Sequence, residues 1–143
     1  MATVLNVLHV VGAVFLAGPM AILPMSAMRA LRTGERGQVA TLARSTFVFS
    51  LLSILVVFLG FGLLGVADER FHLSIGTPWI LGSLILYAIA LLVNLFVVVP
   101  AMRSAAEGDA SVATRPLYGR IAGGSGVSAL LLVAVVVLMV WKP

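Results

Sequence analysis

The stretch WILGSLILYAIALLVNLFVVV, Trp79 to Val99, holds 21 consecutive residues without one Asp, Glu, Lys or Arg. A helix crossing the hydrocarbon core of a bilayer needs about 20 mainly apolar residues. Alternation of apolar and polar residues, the mark of a membrane β-strand, is missing here. The stretch therefore reads as a spanning α-helix, which satisfies its own backbone in lipid.

Working outward, three more runs have the same character. The first extends from about Val4 to Met28 and continues as helix to Leu31, the second covers Phe47 to Val66, and the last covers Ile121 to Trp141. The fold expected is all-α: a single transmembrane domain over 1–143, an up-and-down bundle of four helices at about 4–31, 47–66, 79–99 and 121–141. Composition agrees, since 62% of the residues are hydrophobic and only 10% are charged. A soluble domain is nearer one-quarter charged and would have to bury that apolar surface. The start of the chain lacks a basic segment before its apolar run, so this run is read as a retained helix and not a cleaved signal.

Basic residues set the expected orientation. Arg29, Arg32, Arg36 and Arg44 flank the first connection, and Arg103, Arg115 and Arg120 flank the third, so seven of the nine Lys and Arg residues lie on one side. Only Arg70 and Lys142 lie on the other. The positive-inside rule puts the two long basic loops in the cytoplasm and both termini outside the plasma (inner) membrane. Trp79 and Trp141 then share the outer interface. The net charge of +4 is matched to anionic headgroups, and no basic segment carries an aromatic platform for nucleic acid.

Helix 1 contains Gly18-Pro19 and Pro24. Each proline removes a donor and crowds the preceding turn, so bends are expected near Gly18 and Pro24. Ala27-Met28-Arg29 recurs as Ala101-Met102-Arg103, and Gly34-Glu35 as Gly108-Asp109, at an offset of 74. The first and second pairs of helices therefore read as two copies of one hairpin, related by an axis along the membrane normal.

His9 is the one ionisable side chain within the membrane core runs, a position that by default suggests function. As a ligand for haem or a metal ion it would need help, for which His72 in the outer loop is the available histidine. As a structural residue it needs a partner on another helix. Asn6, His9 and Ala13 share one helical face. Ser83, Tyr87, Ala90 and Asn94 share another, and the offset puts Ser83 at the depth of His9. The two faces are expected to meet, with His9 bonded to Ser83 or Tyr87, an interaction contributing about 0.6–2 kcal/mol.

Small residues mark packing surfaces: Gly60, Gly62 and Gly65 on helix 2, and Gly119, Gly123, Gly124 and Ser128 on helix 4. Gly60-Phe61-Gly62-Leu63-Leu64-Gly65 spells a dinucleotide-binding fingerprint, but it follows no strand and opens no helix, so no cofactor is inferred from it. The methionines are scattered in depth and read as gap-fillers. Absence of cysteine excludes thiolate metal sites and Cys nucleophiles. Glu35, Asp68, Glu69, Glu107 and Asp109 all fall in loops, so no carboxylate pair is available for acid–base catalysis in the membrane. No catalytic residues and no bound cofactor are expected.

Leu8-His9-Val10-Val11-Gly12-Ala13 resembles the Leu-His-x-x-Gly-Ala opening of a family of predicted four-helix bacterial integral membrane proteins of unknown function. The resemblance extends to the loop bearing arginine and glycine after helix 1 and to the small residues of helix 2. The Ala-, Val- and Arg-rich composition looks actinobacterial, and the chain is similar to small accessory subunits around the actinobacterial cytochrome bcc–aa3 supercomplex. That likeness implies a non-catalytic accessory subunit whose partners are cytochrome c oxidase or bc complex subunits. A haem- or metal-handling protein using His9, and a small carrier with Ser83, Tyr87 and Asn94 on its path, are the alternatives.

Overall fold

Four long apolar helices pack as a bundle in the computed structural model, which describes residues 2–66, 74–107 and 114–141. They are α1 (Thr3–Arg32), α2 (Arg36–Val66), α3 (Pro78–Glu107) and α4 (Thr114–Trp141). All four exceed the apolar runs. α2 starts at Arg36, well before Phe47, because the intervening turns carry Val39, Ala43 and Thr46 on one buried face. Hydropathy finds the part of a helix that sits in hydrocarbon, whereas the helix itself continues wherever it can still bury one side.

α1 turns directly into α2 at Thr33-Gly34-Glu35. Gly34 has φ of 75°. The Glu35 amide donates to Ala30 O at 2.9 Å and that of Gly34 to Leu31 O at 3.2 Å, which satisfies carbonyls left over at the helix end. This is a Schellman ending, and its left-handed residue favours glycine. α3 begins at Thr77-Pro78, where the fixed φ of proline suits the first helical position.

The expected disruption of α1 takes a specific form. Ala13–Ala17 is one turn of π-helix, closed by the Gly18 amide on Ala13 O, immediately before Pro19. α3 does the same at Asn94–Val98, closed by the Val99 amide on Asn94 O, immediately before Pro100. A proline offers no N–H to the carbonyl four residues back and its ring presses on it. Widening the preceding turn relieves that pressure without breaking the helix. Pro24, in contrast, sits inside regular α-helix.

The ends of the bundle differ. At the basic end, where the α1–α2 and α3–α4 connections lie, all four helices meet. Ala27, Ala43, Val98, Ala101, Met102, Ala105 and Ile121 form one buried cluster there. The hairpins are also joined by two cation–aromatic contacts. Arg32 of α1 lies 5.4 Å from the Tyr118 ring of α4 and donates to its hydroxyl. Arg103 of α3 lies 4.9 Å from the Phe47 ring of α2. Toward the opposite end packing is within hairpins, α1 on α2 and α3 on α4. Residues 3–17 of α1 include none that is buried. Trp79 and Trp141 both lie at this second end.

Candidate functional site

Pro24 creates a local demand. In a continuous α-helix the amide of residue 24 would donate to Met20 O, and proline has no amide hydrogen. Met20 is fully buried, so water cannot easily replace that donor. Asn94 of α3 meets the need: its Nδ2 donates to Met20 O at 3.0 Å. The two residues are 74 apart, the offset of the Ala-Met-Arg recurrence. They therefore occupy the same depth on the corresponding helices of the two hairpins.

Around this bond lies a layer of small polar side chains. α2 contributes Thr46, Ser50 and Ser53, all fully buried and spaced by four and three residues on one face. Thr46 Oγ1 donates to Leu42 O at 2.7 Å and Ser53 Oγ to Ser50 O at 2.6 Å. The single Ser53 proton being engaged, the Tyr87 hydroxyl of α3 donates to Ser53 Oγ, at 2.5 Å. α4 adds Ser128, whose Oγ reaches Ala90 O of α3 at 3.5 Å, the long limit of a hydrogen bond. Ser125 donates back to Ala122 O of its own helix at 3.3 Å. Among the described residues, two buried polar atoms of these side chains find no hydrogen-bond partner: Ser50 Oγ and Asn94 Oδ1. The layer carries no formal charge.

His9 stands apart from this layer. Its Nδ1 donates to Val56 O of α2 at 2.9 Å. The ring lies against Gly60, where an added Cβ would come within 3.1 Å of His9 Cε1. The expected bond to Ser83 or Tyr87 is thus replaced by one inside the first hairpin, because α1 packs on α2 at this depth. Since a carbonyl only accepts, Nδ1 is the donor in this bond. Ser83 donates to Trp79 O of its own helix at 2.7 Å. Asn6 is exposed. His72 lies outside the described residues, as do Asp68, Glu69 and Asp109. Among the described residues no three His, Cys, Asp or Glu groups converge as a metal site.

The small residues divide by environment. Gly60 accommodates His9 and Gly62 touches Leu5. Gly124 is the tightest: a Cβ there would fall 2.7 Å from Val98 Cγ2. Ser128 is fully buried. Among the described residues, Gly65, Gly119 and Gly123 have nothing within 4 Å of where a Cβ would stand, so the pair Gly119 and Gly123 is not packed against any of them.

Sequence reasoning passed over Thr46, Ser50 and Ser53, although their spacing alone marks one helical face. It also passed over Met20 and Val56, which take part through carbonyls. The first of these was within reach: a proline at 24 leaves the carbonyl of residue 20 in need of a donor.

No curated protein and no solved structure matches the chain. A family model described as "Predicted integral membrane protein (DUF2269)" matches residues 3–143. With four helices long and apolar enough to span a membrane and a family match over nearly the whole length, the chain is a small multi-pass integral membrane protein belonging to the DUF2269 family.

Proposed function

We propose that this protein is a non-catalytic accessory subunit of a larger membrane complex and that it works by helix–helix contact. The observation that carries the reading is the one-sided packing of α1 at the end opposite the arginines. Its Val7, Val10, Val14 and Phe15 are each more than half exposed while α2 covers the other side. A transmembrane helix of a partner would cover that face with van der Waals packing beyond what lipid tails supply. The likeness to accessory subunits of the cytochrome bcc–aa3 supercomplex makes oxidase or bc subunits the partners to test. Purification of a tagged chain from its native membrane in mild detergent should bring cytochrome subunits down in fixed ratio. A monodisperse protein without partners overturns the reading.

In this reading the arginine-bearing loops face the cytoplasm and both termini face outward, in the plasma membrane. The chain has no cysteine, so single cysteines introduced at Gly34 and Gly76 report sidedness directly. An impermeant thiol reagent should label Gly76→Cys from outside and leave Gly34→Cys untouched in intact cells.

One observation favours a second reading. With Nδ1–H held by Val56 O, the His9 ring is oriented and Nε2 is the ring nitrogen that this bond does not use. Histidines that ligate haem or metal ions have this second contact as a rule. The group would supply redox or ligand-binding chemistry that the chain's own side chains lack. An optical spectrum and metal analysis of the purified protein separate the readings. A haem band abolished by His9→Ala supports ligation, and a colourless metal-free protein ends it.

A further inference from the structure

We propose that the groove between α3 and α4 near the basic end is a binding site for an anionic phospholipid. A cavity of about 330 Å³ opens there, lined by Phe96, Val97, Pro100, Ala101 and Ser104 of α3 and by Arg120 of α4. Phe96, Val97, Pro100, Ser104 and Arg120 are all exposed, so the cavity can be entered from the surrounding bilayer.

The lining changes character along the groove. Ser104 follows Phe96 by eight residues, about 12 Å along a helix. At one end lie an aromatic ring, a valine and a proline, and at the other a hydroxyl and a guanidinium. A phospholipid has the same order, with apolar chains leading to a phosphate. The cavity lies beside the proline-associated π turn of α3, Asn94–Val98, which contributes Phe96 and Val97 to its lining.

Charge chooses the occupant. Among the described residues, no carboxylate lines the cavity. Arg32 and Arg103 are engaged on Tyr118 and Phe47, whereas Arg120 lines the cavity. A guanidinium at headgroup depth favours a phosphate, which it can hold by paired hydrogen bonds. The Ser104 hydroxyl supplies a third donor at the same end. A headgroup of net negative charge adds attraction to the excess of arginines at this end of the bundle.

The test is native mass spectrometry of the delipidated full chain titrated with dioleoyl phosphatidylglycerol, dioleoyl phosphatidylcholine or inorganic phosphate. One high-affinity phosphatidylglycerol adduct is expected, with phosphatidylcholine weaker and phosphate unable to displace it at equal concentration. Arg120→Gln should weaken that adduct about tenfold, the effect of losing one charge-assisted hydrogen bond. Val97→Trp, which fills the groove while leaving every charge in place, should weaken it too. Arg29→Gln, away from the cavity, should leave it unchanged. Equal loss in Arg29→Gln and Arg120→Gln, or full binding in both Arg120→Gln and Val97→Trp, overturns the site. Equal affinity for the two lipids overturns selection by charge, and displacement by phosphate reduces the site to an anion contact. Circular dichroism and gel filtration of each variant confirm that loss of binding is not loss of fold.

Discussion

At the basic end of the bundle, alanine, valine and methionine from all four helices close into one cluster, and each hairpin grips the other through an arginine on an aromatic ring. At the opposite end each helix packs on its hairpin partner. There the described hydrogen bond between hairpins is Tyr87 on Ser53, near the boundary with the closed half. The difference has a local cause. Small residues at the basic end let backbones approach, whereas leucine, valine and phenylalanine dominate the other end and hold helices apart. One end therefore holds the fold together and the other is free to meet lipid or a partner.

Overpacking the closed half should have the largest effect. Gly124→Val sets a side chain against Val98 where even a Cβ would lie at 2.7 Å. A loss of about 1–3 kcal/mol is expected in reversible unfolding from mixed micelles. Gly65→Val, in open surroundings in the other half, should change stability by less than about 0.5 kcal/mol. Equal costs would erase the contrast between the two ends.

Next in size is the bond between the hairpins at mid-depth. Asn94→Leu strands Met20 O and should cost about 1–2 kcal/mol. Pro24→Ala restores the amide that Met20 O lacks, so in that background Asn94→Leu should cost clearly less. A double-mutant cycle reads this coupling directly, and additive costs would refute it.

Tyr87→Phe removes the hydroxyl that reaches Ser53 and should cost about 0.6 kcal/mol. Spin labels at Leu63 and Leu81, on α2 and α3 in the open half, should show a broader distance distribution in this variant. Labels at Arg44 and Glu107 should not change. Arg103→Leu should have the smallest effect, about 0.5 kcal/mol, because its contact with Phe47 is at an exposed site.

Legibility in the sequence followed the range of the interaction concerned. The four spans depend on the sum of transfer free energies over one helix, a local property, and they could be read directly. The disturbance before Pro19 was also legible, because a proline acts on its own preceding turn. The matching π turn before Pro100 follows from the same rule, yet the position of Pro100 at the end of the third apolar run hid it. The partner of His9 was misjudged because the recurrence at offset 74 gives depth but not rotation. His9 and Ser83 can share a depth while facing different helices. The same offset was informative for Met20 and Asn94, which both point into the bundle centre and meet.

The sequence by itself determined that this is a four-span, proline-disturbed, all-α membrane protein with a basic and a nearly neutral end. Hydrocarbon thickness and backbone satisfaction leave a chain of this composition little other choice. Only the tertiary structure decided which faces turn inward: His9 toward Val56, Tyr87 toward Ser53, Gly124 into the core and Gly119 out of it. A soluble helix shows its inner face as an apolar stripe, but a membrane helix is apolar all round. Its rotation is set by close contacts between helices distant in sequence, and no pattern within one helix records them.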